Sequence, residues 1–264
     1  MFFWRSNCNL VFILKNMLKT IPHLFTLFNL LSGCLAVFFT FSHQFNAALF
    51  FVIVGLFFDF FDGFFARILN VESSLGVQLD SLADLVTFGF TPGVMLYQLF
   101  ILSGIKQVDY SFYLFDNLNL TFSLAPLAVV GYLVTLGAAL RLARFNLLNE
   151  SLSYFKGLAT PVNAIFIMGI PFVMNHPMLI HLNKFILTPM NLVIICIISF
   201  FMMNIHWKMF SLKGVMKEGK IGLIYPILLA IGSSVMVYYI GLAGLSLSVI
   251  LYVLLSGIKY SIRI

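Results

Sequence analysis

Charge is what this sequence has least of. In 264 residues there are nine acidic and fifteen basic side chains, and the four charged residue types together make up 9% of the chain. A soluble domain carries roughly a quarter. With 61% apolar residues and a mean hydropathy of +1.05, the composition excludes a soluble globular fold and belongs to the polytopic membrane class. Cysteine is scarce too. Cys8, Cys34 and Cys196 show no metal-ligand spacing and two lie in apolar runs, so they read as packing residues and carry nothing about the redox compartment. The five histidines, His23, His43, His176, His181 and His206, are scattered and form no ligand pair. Low-complexity tails, internal repeats and a separate soluble domain are also lacking, so residues 1–264 read as one integral membrane domain. Residues 8–19 are interrupted by Asn9, Lys15 and Asn16, with no small-residue cleavage site after them, and no cleavable signal peptide is expected. The net charge of +6 sits at the ends of apolar runs. It is explained by membrane topology, and no nucleic-acid partner is expected.

What the chain has in abundance is long apolar runs, thirty-one phenylalanines among them. The expected fold is all-α, a polytopic bundle of about eight transmembrane helices within residues 24–258, preceded by an N-terminal amphipathic helix over residues 6–19. Trp4 and Arg5 would anchor that helix at the interface, and Ile21-Pro22 would break it from the first span. The spans are placed at about 24–41, 47–69, 80–102, 124–140, 162–174, 192–203, 221–240 and 242–258. Pro92 and Gly93 predict a kink in the third. Residues 104–120 read as the longest external loop, and the run from Lys208 to Lys220 as a solvated loop drawn to anionic headgroups.

Four of the nine acids are Asp59, Asp62, Asp80 and Asp84. Asp59 and Asp62 follow the apolar run from Phe50 to Phe58, so their helix carries them at or below the membrane surface. An ionisable group at that depth marks a functional site unless it is paired away. Residues three or four apart share a helical face. Asp59 and Asp62 therefore project together from one helix, and Asp80 and Asp84 from the next. Two such helices side by side converge four carboxylates, a hard oxygen site suited to Mg²⁺ or Mn²⁺. The plainer reading, buried salt bridges, is short of partners: four acids face one nearby arginine, Arg67. Gly63 and Ala66 flank the acids with little bulk, Gly76 lies one turn before Asp80, and Arg67 sets a cation at the rim, fit for a phosphate.

The pattern D-x2-D-G-x2-A-R-x8-G-x3-D-x3-D resembles the signature of the CDP-alcohol phosphotransferases, membrane enzymes of phospholipid synthesis. Every fixed position is filled. The resemblance implies two divalent cations, Mn²⁺ or Mg²⁺, held by Asp59, Asp62, Asp80 and Asp84. It implies a CDP-diacylglycerol site formed by Asp59, Gly63, Ala66, Arg67, Gly76 and Asp80, with Asp84 as general base. A homodimer in the bilayer is a further expectation from the family.

Residues 21–33 and 81–92, Arg141-Leu-Ala-Arg144-Phe-Asn146, and Phe155 to Pro161 look like the phosphatidylserine synthase branch of that family. His23 and Ala159 depart from the branch's usual asparagine and proline. The implied reaction is transfer of the phosphatidyl group from CDP-diacylglycerol to the hydroxyl of L-serine, with release of CMP. Arg141 and Arg144 share a helical face and are candidates for the serine carboxylate or a lipid phosphate, although cations at a cytoplasmic helix end also satisfy the positive-inside rule. Transfer to glycerol 3-phosphate or an inositol phosphate stays open, as does a divalent-cation transporter, which would not need Gly63, Ala66, Arg67 and Gly76.

With eight spans, thirteen basic residues fall on one side and only Lys106 and Lys184 on the other. The expected location is therefore a bacterial-type inner membrane, with both termini and the aspartates facing the cytoplasm. A reporter fused to the C-terminus is expected to read cytoplasmic, and a cysteine placed near Asp109 to label with an impermeant reagent from outside. Labelling of that cysteine only in inverted vesicles would refute the orientation.

Overall fold

The computed structural model describes residues 2–115, 118–147, 154–210 and 219–261, and of 2–19, 113–115, 118, 155, 219–221 and 261 the backbone alone. The chain begins with α1 (Phe2–Phe41), α2 (Phe45–Ile68) and α3 (Ser74–Leu102). A hairpin of β1 (Val108–Phe115) and β2 (Leu118–Leu124) leads into a 3₁₀ stretch, Pro126–Tyr132, and α4 (Leu133–Leu147). Then come β3 (Tyr154–Lys156), α5 (Thr160–Asn175), α6 (Ile180–Ile186) and α7 (Pro189–Asn204). The short strand β4 (Lys208–Phe210) pairs antiparallel with β3, and α8 (Gly219–Ile240) and α9 (Ala243–Ser261) close the chain.

The all-α polytopic class holds; the count of eight spans is not confirmed. Among the described residues six stretches are long and apolar enough to cross a bilayer, and a seventh results if α5 and the following segment Pro177–Ile186, bent by 88° to each other, are taken as one broken span. Helices α5 and α7 have 16 residues each, about 24 Å, short of a hydrocarbon core of about 30 Å. Apolar side chains crowd the outside, as a lipid solvent allows: Phe38, Phe50, Phe60 and Phe201 are all well exposed.

Three expectations are corrected. Ile21-Pro22 does not break the first helix; α1 runs through, with Pro22 inside and buried. A proline removes one N–H from the ladder, a loss that membrane helices tolerate, and Thr26 Oγ1 donates to the Pro22 carbonyl at 3.1 Å. The interfacial placement of residues 6–19 falls on side chains outside those described. Residues 104–120 are not a plain loop, since they hold most of the β1–β2 hairpin. The run beginning at Lys208 opens as strand β4, whose Met209 and Phe210 are buried; residues 211–218 of that run lie outside the described residues.

The irregularity in the third span falls one turn earlier than Pro92 and Gly93 predict. Leu85–Phe90 forms a π-helical turn inside α3. Pro92 cannot donate to the Phe88 carbonyl, and the ladder shifts by one residue ahead of it: the Thr91 N–H donates to Val86 O, five residues back. Thr91 Oγ1 donates to the same carbonyl at 3.0 Å. The turn is tied down on both sides. Thr87 Oγ1 donates to Asn29 O of α1 at 3.0 Å, and Thr135 Oγ1 of α4 to Gly89 O at 3.0 Å. Close approach requires glycine at the two contacts with α1 and α2. A Cβ on Gly33 would lie 2.9 Å from Thr87 Cα, and one on Gly55 2.7 Å from Thr87 Cγ2. Beyond the turn α3 is the centre of the bundle, with Val94, Met95, Leu96, Leu99 and Phe100 fully buried.

Gly33→Leu is therefore expected to destabilise the protein by about 1–3 kcal/mol, the range for overpacking, read as a lower unfolding midpoint in detergent. Gly257→Ala, where nothing lies within 4 Å of the added Cβ, is expected to leave the midpoint unchanged. Equal midpoints for the two variants would refute the close packing at Thr87.

Candidate active site

The aspartates are placed by α2 and α3 running side by side with α1. Asp59 and Asp62 lie two to three turns before the end of α2 at Ile68, about 9–14 Å below it along the axis. The chain turns through Asn70, whose φ of +52° is left-handed, a conformation asparagine tolerates. Ser73 then caps α3, its Oγ accepting from Gly76 N–H at 3.0 Å. Asp80 follows in the second turn and Asp84 in the third.

Oxygens of Asp59, Asp62 and Asp80 all lie within 4.8 Å of one another. Asp62 is 6% exposed, and its Oδ2, like Asp80 Oδ1, is buried without a hydrogen-bond partner. Bare carboxylate oxygens clustered in this way fit a hard divalent cation. Asp84 stands one turn deeper and faces both Asp59 and Asp80. Asn29 Nδ2 of α1 donates to its Oδ1 at 3.1 Å, which fixes the carboxyl plane.

The small residues open the approach. A Cβ on Gly63 would meet nothing nearer than the Arg67 guanidinium at 3.7 Å, whereas one on Gly76 would lie 3.2 Å from both His23 Cε1 and Ser73 Oγ. Gly63 thus borders free space, and Gly76 is where α1 leans on α3. Ala66 is half-buried, its carbonyl accepting from Val71 N–H at 3.0 Å. Arg67 is exposed and its Nε donates to Gly63 O at 2.8 Å, which turns the rest of the guanidinium to the rim.

The profile of the CDP-alcohol phosphatidyltransferase family matches residues 19–258. The chain belongs to that family. It is 33% identical over 159 residues to the CDP-diacylglycerol–serine O-phosphatidyltransferase of Bacillus subtilis, covering 59% of this chain and 77% of that protein. It is 35% identical over 155 residues to the enzyme of that name from Helicobacter pylori, and 34% over 139 residues to that from Saccharomyces cerevisiae. Those matches span 58% and 49% of this chain but only 57% and 43% of the relatives.

As in a metal-dependent phosphatidyltransferase, the carboxylates are gathered, but the two arginines near them part company. Arg141 turns inward, with Nε buried and unpartnered and its guanidinium within electrostatic reach of Asp84 and Tyr252. Arg144 is exposed and donates to Asn204 Oδ1 of α7 at 3.3 Å. Sequence reasoning missed Asn29, although it lies in the 21–33 stretch singled out above. It also missed the bond between Asn146 Nδ2 and Ser81 Oγ, at 2.9 Å, which ties α4 to α3 beside Asp80.

Purified protein is expected to bind Mn²⁺, and Asp62→Asn or Asp80→Asn to weaken that binding by at least about 100-fold, the upper end of what the loss of a residue behind the ligands costs. Equal Mn²⁺ titrations of wild type and both variants, followed by electron paramagnetic resonance, would remove the metal reading.

Proposed function

We propose that the protein transfers the phosphatidyl group of CDP-diacylglycerol to the hydroxyl of L-serine, giving phosphatidylserine and CMP. The observation that carries this reading is the convergence of Asp59, Asp62 and Asp80 within 4.8 Å, in a chain whose relatives bear that activity's name. Two Mn²⁺ or Mg²⁺ ions held by Asp59, Asp62, Asp80 and Asp84 would supply charge neutralisation at the diphosphate and the departing CMP. Gly63 and Ala66 leave room for the diphosphate against the backbone, and Arg67 offers its free guanidinium nitrogens to a phosphate oxygen. Gly76 keeps the head of α3 close to α1, which sets Asp80 on the nucleotide side.

Asp84 takes the proton of the serine hydroxyl. The new bond forms between serine Oγ and the diacylglycerol-side phosphorus, the bond from that phosphorus to the CMP oxygen breaks, and the proton stays on Asp84. Direct transfer is favoured over a phosphatidyl-enzyme. Ser73 Oγ is engaged as a helix cap and Ser81 Oγ with Asn146. His23 does lie near Ser73 across Gly76, but its Nδ1 has no hydrogen-bond partner. Arg141, half-buried within electrostatic reach of Asp84, suits the serine carboxylate. Arg144, on the surface with Asn204, suits a lipid phosphate. The same transfer to glycerol 3-phosphate or an inositol phosphate would call for more cationic residues in the pocket. We further propose a homodimer in a bacterial-type inner membrane, with the site and both termini cytoplasmic, in accord with the basic-residue bias.

Asp84→Asn is expected to lower turnover by at least about 10²-fold, as loss of a general base does, while CDP-diacylglycerol affinity falls much less than in Asp59→Asn. The assay is metal-dependent CMP release with a panel of alcohols and identification of the lipid. Equal loss of donor binding in both variants would make Asp84 a ligand only, and a lipid product from another alcohol in preference to serine would overturn the acceptor.

A further inference from the structure

The β1–β2 hairpin has two faces of opposite chemistry. Opposed residues of an antiparallel pair share a face, and so do residues two apart along a strand. Val108 pairs with Leu124, Tyr110 with Phe122 and Phe112 with Leu120, so aliphatic and aromatic side chains alone lie on one face. The rings of Tyr110 and Phe112 both stack on Phe122, with centroids 5.6 and 6.0 Å apart. On the other face Asp109 pairs with Ser123 and Ser111 with Thr121, and Ser123 Oγ donates to Asp109 Oδ1.

The protein leaves the apolar face uncovered. Each strand packs on the other, and on no other described element to a comparable extent. Val108, Phe112, Leu120 and Phe122 are between 43% and 52% exposed. A lone two-stranded ribbon is at best marginally stable in water and needs something against its apolar face. Contiguous exposed apolar surface marks a contact with a partner or a membrane.

Three observations point to the same cover. Both roots of the hairpin are ends of membrane spans: α3 stops at Leu102, shortly before Val108, and the next span opens at Pro126, just after Leu124. The side chains at those roots, Leu102, Leu127 and Val129, are exposed and apolar, like the lipid-facing surface elsewhere. The face is also small. About five residues of each strand at about 3.4 Å apiece, on two strands about 4.8 Å apart, give on the order of 200 Å². A stable protein interface takes about 800 Å² from each partner, so this face would not hold a second copy of the chain. Finally, the segment from Ser103 to Ala125 carries Lys106, Asp109 and Asp116 as its only charges. With acids in excess it gains nothing from anionic headgroups, and only burial of its apolar side chains is left to hold it.

We propose that the hairpin lies on the bilayer, with Val108, Tyr110, Phe112, Leu120, Phe122 and Leu124 among the upper acyl chains and the Asp109 face in water. An amphipathic element at the interface sinks its apolar side about 5–10 Å into the boundary between headgroups and acyl chains, and tyrosine is favoured at that level. The hairpin then pins α3 at the end opposite Asp80 and Asp84, in the leaflet away from the carboxylates. The proposal does not depend on which alcohol is the acceptor.

The test is tryptophan quenching in the full-length protein, reconstituted into phosphatidylcholine vesicles. Trp4→Phe and Trp207→Phe form the background. Phe112→Trp or Leu120→Trp then reports on the apolar face, and Thr121→Trp on the polar one. Lipid brominated on the upper acyl chain is expected to quench the two apolar-face reporters at least about twofold, as that depth requires, and Thr121→Trp far less. An unfolding midpoint identifies any variant that has not folded, and the two apolar-face reporters stand in for each other. Quenching of neither, or equal quenching on both faces, overturns the proposal. Quenching that appears only when the protein is diluted in lipid shows a second copy on the face at ordinary density, and overturns it as well.

Discussion

Like charge forced together in a place with little water is the constraint on which the rest of this structure depends. Two ionised carboxylates with oxygens no more than 4.8 Å apart would repel by at least about 3.5 kcal/mol at an effective dielectric constant of 20. A single hydrogen bond contributes only about 1 kcal/mol net. No one contact could hold Asp59, Asp62 and Asp80 in register, so the whole junction of α1, α2 and α3 has to. This accounts for the density of fixed points around it: the Ser73 cap, the Asn29 grip on Asp84, and the glycine contacts at Thr87. The framework is built first, from packing that does not depend on the acids, and the acids are mounted on it.

The π-helical turn fits the same logic. An extra residue in a helix rotates everything before it relative to everything after it by about 100°. Upstream of Leu85, α3 presents Asp80 and Asp84 to α1 and α2; downstream it presents Val94 to Phe100 to the core on all sides. A regular helix would have to serve both faces with one phase. The shift lets the carboxylate-bearing half and the core half take separate phases, and Thr87, Thr91 and Thr135 supply the hydroxyls that hold the irregular backbone.

How much of this was legible in the sequence follows from what periodicity encodes. Spacings of three and four put the aspartates on common faces of their helices, and runs of apolar residues located the helices, although α1 begins far ahead of residue 24, α3 at Ser74 instead of 80, and α4 runs on to Leu147 instead of 140. Helix continuity was not legible. Pro22 reads as a breaker because proline lacks an N–H, yet in an apolar helix the alternative of exposing several more backbone groups is worse, and the helix runs through. The π-turn was anticipated as a kink but at Pro92, where the cause lies, instead of the preceding turn, where the strain is absorbed. The β3–β4 pairing escaped notice because three-residue strands carry no period. Gly157 was its one signal: φ is +70°, and a Cβ there would lie 2.6 Å from Met203 O.

Arg141 and Arg144 show the limit of helical phase as a guide to chemistry. They share a face, and the sequence treats them as equals. What separates them is the neighbour that each meets. Arg144, nearer the helix end, reaches Asn204 at the end of α7 and remains in contact with water, where a guanidinium is inexpensive. Arg141, one turn deeper, lies within electrostatic reach of Tyr252 and Asp84, and its Nε is buried. Position on a shared helical face therefore ranks two cations alike, and only the packing of the neighbouring helices, which exists in the folded chain alone, decides which of them is left in water and which is turned towards the carboxylates.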